Sequence, residues 1–379
     1  MAAELLNSLL AFQPDAPEVK DRREYDRHAR EFIDTLHKCS QSLFLKGADT
    51  PQDVLNVLDP AVNSIAYAFT LRNRIQHAID KNNTQTLKPG NALWNKLVQF
   101  LESFDPIQMR YAGVEYKKLV EYVELIARGV NTPAIAVSPI RSAMLRLDPT
   151  TGCFTTTHLN FIRLCLEGRA YAAALPILDN YIHSFPTNIQ NSIRESSEYV
   201  VPCADSVTSG EFIHTKSGHS DKVTLAEIQE YYVLGAIAYI GARQFKNAHQ
   251  ILEHVLVIPA AGVANGLMLE AYKKWVLVDC LVNHTSVGNS SRFIVRRNYW
   301  LLSSIFTFAS VASRQVPRTA NPSSIKQIRA AAKAYDALAD ASSDFNNLPK
   351  LKSQVAAGRD IWAEVSDLCL FGSRSELAL

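Results

Sequence analysis

The sequence predicts an all-α fold of stacked helix pairs, and three observations carry that reading. Apolar residues recur at helical spacing along most of the 379 residues. No alternating run flanks an Asn-Gly or Asp-Gly turn, so strand content is expected to be near zero. Residues 164–186 (LCLEGRAYAAALPILDNYIHSFP) and 238–259 (AYIGARQFKNAHQILEHVLVIP) share one pattern at an offset of 245 − 171 = 74. Each reads as a helix, a turn with glycine (Gly168; Gly241), an aromatic (Tyr171; Phe245), an alanine three residues on (Ala174; Ala248), a second helix and a proline. Ile177 and Leu178 superpose on Ile251 and Leu252.

The chemistry of that order is a tetratricopeptide-like helical-repeat superhelix. The aromatic fills the wedge between antiparallel helices, the alanine lets their backbones approach, and the proline (Pro186; Pro259) stops the second helix. An offset of 74 is about two repeats of ~34 residues. Two units are clean and the others degenerate.

Element by element, residues 21–45 suit one helix, with Tyr25, Phe32, Leu36 and Leu43 on one side. Residues 51–58 and 60–79 follow, each opening on a proline. Residues 92–104 are apolar on one face. Asp105-Pro106 starts helices running to about Ala127, and residues 133–147 form another, closed by Asp148-Pro149. The two repeat units come next. Residues 187–224 between them are polar and rich in Ser, Thr and His, which predicts a long surface loop. Residues 265–283 and 288–313 are helical, 314–323 a linker, and 325–342 and 348–370 the last helical segments. The expected domains are 1–150, an N-terminal helical region, 151–285, the repeats with the loop at about 187–224, and 286–379.

Composition limits function. With 39 Lys+Arg against 37 Asp+Glu, the net charge of +2 creates no global field for nucleic acid or a membrane surface, and neither is expected as a partner. No apolar run reaches the ~20 residues of a membrane span. The N-terminus MAAELLNSLLAF lacks a basic start and carries Glu4, unlike a signal peptide. Six scattered cysteines with no CxxC pair read as reduced thiols, so the sequons at Asn82, Asn283 and Asn289 are chance matches.

No catalytic motif stands out. The chain has no GxxxxGK[ST], GxGxxG, GxSxG or HExxH. Cys203, His214 and His219 are the best metal-like grouping, but no second cysteine completes a four-ligand set, so no metal or cofactor is expected. His249 and His254 read as solvated helix residues. Arg292, Arg296 and Arg297 beside Tyr299 and Trp300 read as a solvated edge over core aromatics. Lys273-Lys274, inside an apolar helix, must snorkel to solvent or meet acids. Residues expected to matter are therefore packing positions (Tyr171, Ala174, Leu178, Gly235, Tyr239, Phe245, Ala248, Leu252) and a possible subunit interface (Glu270, Tyr272, Lys273).

Tyr231-Tyr232, Gly235, Tyr239, Gly241, Phe245, Ala248 and Pro259, followed by Leu269-Glu270-Ala271-Tyr272-Lys273-Lys274, resemble the COP9 signalosome subunit 3 family of PCI-domain proteins. Leu164-Cys165-Leu166, Ala174-Leu175-Pro176, the run from Asp105 to Tyr111, Arg292-Phe293-Ile294 and Ala334-Tyr335 extend the resemblance in patches over about residues 100–370. The resemblance implies a non-catalytic scaffold. Its helical repeats would lead into a PCI domain that packs beside other PCI and MPN-type subunits, in a hetero-oligomeric complex that removes NEDD8 from cullins. It also implies a nuclear and cytoplasmic location. No strand signal follows Leu370, so residues 286–379 are expected to be a partial PCI helical subdomain without the family's winged helix. Other readings are a PCI subunit of the proteasome lid or a translation initiation complex, or a free-standing repeat adaptor.

Overall fold

The computed structural model describes residues 9, 10, 12, 21–45, 53–186, 201–260, 262–290, 316–342 and 348–364. The chain divides into two compact units, Met1–Val223 and Thr224–Leu379. The expected boundary at 150 falls between helices that pack on each other, and the one at 285 falls inside a continuous helix. Among the described residues there is no strand, only an isolated bridge between Cys153 and Ser184.

The first unit opens with α1 (Arg22–Lys38), capped by the Asp21 carboxylate and burying Ala29, Phe32 and Leu36. The single helix expected over 21–45 breaks at Cys39, which is extended, and α2 (Gln41–Phe44) turns Phe44 into the core. In α3 (Val54–Val57) the start signal is Asp53, not proline: its carboxylate accepts from the Leu55 amide at 3.0 Å. Asp53 also pairs with Arg74 and, at 3.0 Å, with Lys96, so one buried carboxylate ties α3 to α4 (Ser64–Asp80) and α5 (Ala92–Ser103). Pro60 lies in the turn ahead of α4. Asp105-Pro106 starts α6 (Pro106–Met109) as expected, and α7 (Gly113–Gly129), α8 (Ala134–Leu147), α9 (Thr156–Glu167) and α10 (Tyr171–Leu178) stack in order.

One closure recurs in this stack. At the end of α9 the Ala170 amide donates to Cys165 O at 2.7 Å and the Arg169 amide to Leu166 O at 3.1 Å, with Arg169 left-handed at φ 52°. This is a Schellman closure, in which the left-handed residue lets the orphan carbonyls find donors. The same bonds recur around Asn82 (φ 51°) after α4 and Asn131 (φ 54°) after α7. They recur once more around Arg243 (φ 59°) after α12 (Leu225–Gly241) of the second unit. The spacing 243 − 169 = 74 is the sequence offset, and 169 − 131 = 38 adds a third unit, α7–α8. Five residues past Asn131, Arg169 and Arg243 stand Ala136, Ala174 and Ala248, each 0 % exposed. The turn conformation is therefore carried by Arg169 and Arg243 rather than by glycine. Gly168 has an ordinary φ of −83° and is small because a Cβ there would lie 3.1 Å from the backbone of Ala134.

Two expectations are corrected. The second helix of the first clean unit ends at Leu178, well before Pro186, so Pro186 is not what stops it. Nor is the segment at 187–224 a solvated loop over its described part, 201–223. Phe212 and Ile213, at and just after the short helix α11 (Ser209–Phe212), are buried, as are Cys203 and His219. Arg110 donates to Pro202 O at 2.7 Å and lies 5.0 Å from the Phe212 ring. Lys117 meets Asp221 at 2.5 Å, and the Thr156 amide donates to Ser220 Oγ at 3.1 Å. The segment is a strap over the starts of α7 and α9.

In the second unit, α12, α13 (Phe245–Val257) and α14 (Gly266–Ser290) pack mutually. Here Ile258 is extended ahead of Pro259, so the proline stops α13 as expected. The expected helix over 325–342 is two, α15 (Pro322–Ala331) and α16 (Lys333–Ser342), both packed on α14. They are followed by α17 (Leu348–Ala357) and α18 (Arg359–Glu364). The helix expected at 288–313 lies outside the described residues beyond the end of α14, as do Arg292, Arg296, Arg297, Tyr299, Trp300 and the tail after Glu364.

Arg169→Gly and Arg243→Gly should each raise stability by up to about 1 kcal/mol, since glycine carries no left-handed penalty and both side chains are exposed. Gly168→Ala should lower it. Melting temperatures that move the other way would contradict the closure.

Candidate functional site

The residues singled out by the sequence fall into two groups. Ala174, Leu178, Ala248 and Leu252 are buried on the second helices of their pairs, and Tyr239 and Gly235 on α12. Tyr171 and Phe245 are the first residues of α10 and α13 and are half-buried. Gly235 and Tyr239 superpose on Phe161 and Cys165 (235 − 74 = 161; 239 − 74 = 165), all on the inward face of the first helix. Large-then-small in one unit becomes small-then-large in the other, so the pair keeps its volume.

The second group lies on α14. Asn265 caps this helix through Oδ1, which accepts from the Met268 amide at 2.8 Å, and its Nδ2 donates to Gln229 at 2.6 Å. Gln229, buried on α12, donates in turn to Ile258 O at 3.2 Å, locking the α13–α14 connection. Tyr272 is 2 % exposed, and its hydroxyl donates to Asp336 on α16 at 2.8 Å. Burial and the Asp336 hydrogen bond push the phenol up to about 12. Packing between helices is thus the role the geometry gives Tyr272. Glu270 accepts from both Lys273 (2.7 Å) and Lys274 (3.2 Å) in its own helix, and Lys273 also sits 5.7 Å from the Tyr335 ring. Glu270 and Lys273 remain partly exposed.

His249 is not solvated as expected. It is half-buried, with Nδ1 3.6 Å from Glu253, Nε2 3.4 Å from Asp279 on α14, and its ring 5.1 Å from Trp275. His254 is exposed and edge-on to Tyr232. The sequence reading missed Gln229, Asn265, Trp275 and Asp336, whose partners lie 22 to 64 residues away.

Cys203, His214 and His219 do not converge. The Cys203 thiol donates to Arg22 O, His214 Nδ1 accepts from the Lys216 amide, and His219 Nε2 donates to Met109 O at 3.0 Å. His219 instead lines a cavity of about 20 Å³ with His158, Asp148, Tyr116, Thr151 and Cys153. That volume has room for about one water and no substrate. Burial pushes the Cys153 thiol up to about 11, the wrong direction for a nucleophile. Burial also pushes both imidazoles down to about 4, so each is a neutral donor–acceptor holding backbone: His158 accepts from the Thr155 amide at 3.0 Å. The cluster is a satisfied polar core. Gly113 belongs to it, because a Cβ there would meet His219 Nδ1 at 2.4 Å.

A family model described as COP9 signalosome complex subunit 3, N-terminal helical repeats, matches residues 26–293. The chain is similar to COP9 signalosome complex subunit 3 of Emericella nidulans, 32% identical over 311 residues, which is 81% of this chain and 56% of that protein. Its likeness to the subunit 3 of Neurospora crassa is 25% over 280 residues (73% and 53%), and to that of Arabidopsis thaliana 23% over 229 (60% and 43%). The chain spans about half the length of the curated relatives it matches. It belongs to the COP9 signalosome subunit 3 family through its helical repeats.

Two outcomes are expected. Ala248→Leu should overpack α12 against α13 and cost about 1–3 kcal/mol, read as a lowered melting temperature. The histidines impose a pH dependence. An imidazole whose folded value lies below its unfolded one contributes stability that is fully present above pH 6.5 and is lost as pH falls towards about 4. Glu124, pushed up to about 7 by burial, has the opposite sign, its contribution being lost as pH rises from 4.5 to 7. Comparing His219→Gln with wild type by urea unfolding isolates one histidine. The variant should lose less stability on acidification, by about 1.4 kcal/mol per pH unit between 6.5 and 4. Parallel pH profiles would remove His219 from the account.

Proposed function

We propose that this member of the COP9 signalosome subunit 3 family works as a non-catalytic scaffold subunit of that complex. In this reading it supports removal of NEDD8 from cullins in cullin-RING ubiquitin ligases, in the nucleus and the cytoplasm. The single observation behind it is the family match over residues 26–293, which runs through helix hairpins of both units. The side-chain chemistry agrees with a structural task. Phenols, thiols and imidazoles buried in packed cores have pKa values moved away from those a nucleophile or general base needs at neutral pH, and Glu124, which burial pushes up to about 7, is paired with Arg128 at 3.4 Å. Its partners are other PCI and MPN-type subunits, with the hydrolytic site on one of the latter.

Affinity purification of the tagged protein from its own cells, read by mass spectrometry, tests this. The other signalosome subunits should co-purify at stoichiometric levels, with deneddylation of a neddylated cullin in the eluate. Stoichiometric recovery of proteasome lid or translation initiation subunits instead would overturn the assignment, and so would recovery of the tagged chain alone.

A further inference from the structure

Asn265 is followed by glycine, and no other Asn-Gly pair occurs in the chain. Such a pair is reactive. The amide nitrogen after an asparagine can attack the side-chain carboxamide, and glycine favours the attack because no Cβ shields the approach and the backbone can rotate to meet it. The fold does not need that glycine. Gly266 is exposed, its φ lies outside the left-handed region, and a Cβ there would meet nothing within 4 Å. Its amide stands in the first turn of α14 and has no acceptor among the described residues.

The asparagine, by contrast, is tied on every side. Its Oδ1 accepts from the Met268 amide, its main-chain carbonyl accepts from the Leu269 amide at 3.1 Å, and its Nδ2 donates to Gln229 Oε1. Gln229 gives its other end to Ile258 O. Gln229 therefore lies between one donor and one acceptor, and only a carboxamide at 265 supplies the donor. A carboxylate there would place acceptors at both ends of Gln229, and neither orientation of the Gln229 amide would satisfy both. The same connection holds α15, since Ser324 Oγ donates to Val263 O. Four helices, α12 to α15, thus meet at the connection that Asn265 closes.

We propose that Asn265 is a site of spontaneous deamidation that the fold holds in check. The Gly266 nitrogen attacks Asn265 Cγ and gives up its proton as ammonia leaves, closing a succinimide ring. Water then opens the ring at either carbonyl, giving aspartate or isoaspartate with no change of oxidation state. In the folded chain the hydrogen bonds on the carboxamide keep it turned towards Met268 and Gln229, so cyclisation waits for the connection to open locally. Aspartate keeps the cap and loses the Gln229 tether. Isoaspartate, which routes the main chain through an extra methylene, displaces the cap as well. The site is a slow, one-way chemical switch from a locked to a loosened second unit, whichever complex the chain joins.

The test incubates the full chain in mildly alkaline buffer, with and without urea, and reads residue 265 by peptide mass spectrometry and isoaspartyl methyltransferase labelling. Conversion of the wild type at Asn265 should be about tenfold or more faster in urea than in the folded chain. Gly266→Ala should remove most of the conversion in urea without lowering the melting temperature. Asn265→Asp reads the consequence directly. Asparagine and aspartate cap helices about equally, and a carboxylate suits a helix N-terminus, so the cap alone implies no loss. The tether implies a melting temperature below wild type, and little further lowering when the same change is made in a Gln229→Leu background. Equal conversion rates in buffer and urea, conversion in urea unaffected by Gly266→Ala, Asn265→Asp melting at or above wild type, or the same lowering in both backgrounds would each overturn the proposal.

Discussion

Everything in the repeat stack depends on closing a helix hairpin within three or four residues. The last carbonyls of the first helix have lost their intrahelical donors, and burying them unpaired would cost roughly as much as a hydrogen bond each. The left-handed residue solves this by turning its own amide and the next one back onto those carbonyls. With the turn fixed, the second helix starts at a set angle. The residue five positions on then faces the first helix at the closest approach. Only a small side chain fits there, and Ala136, Ala174 and Ala248 fill it with no exposure. The same constraint makes Gly168 small for a different reason, namely the start of α8 lying against it.

Around that frame the unit is tightened by polar groups whose partners are far apart in sequence. Asp53 gathers three helices, Gln108 donates to Val62 O and accepts from the Ile65 amide, and the strap 201–223 is tied by His219, Ser220 and Arg110 to the helix starts it crosses. Each buried polar atom so placed would be a penalty alone and is stabilising only with its partner present. Such networks fix the register of one helix against another and need no catalytic role to account for their perturbed protonation.

The second unit separates two kinds of charge. On α14, Glu270 and the two lysines satisfy one another, and Tyr272 is spent on Asp336. On α15 the charges are of one sign and face outward.

Helical periodicity, the absence of strand signals, the Asp105-Pro106 and Pro259 punctuation and the alanine at offset 74 were legible in the residues, because each is set by local sterics and hydrogen bonding. The third repeat was not. Its turn is Asn131 and its aromatic position is Pro133, and in the two clean units Phe161 with Cys165 trades places with Gly235 and Tyr239. A pair of side chains conserves volume between helices, not identity at a position, so the pattern disappears from the letters while the packing persists. Residues 201–223 read as solvated because they are polar. Yet their buried groups find partners on other elements, and only the tertiary structure brings Met109 O to His219. In this chain the sequence determined which segments are helices. The fold decided which polar residues are inside, because that depends on partners brought together from 21 to 181 positions away.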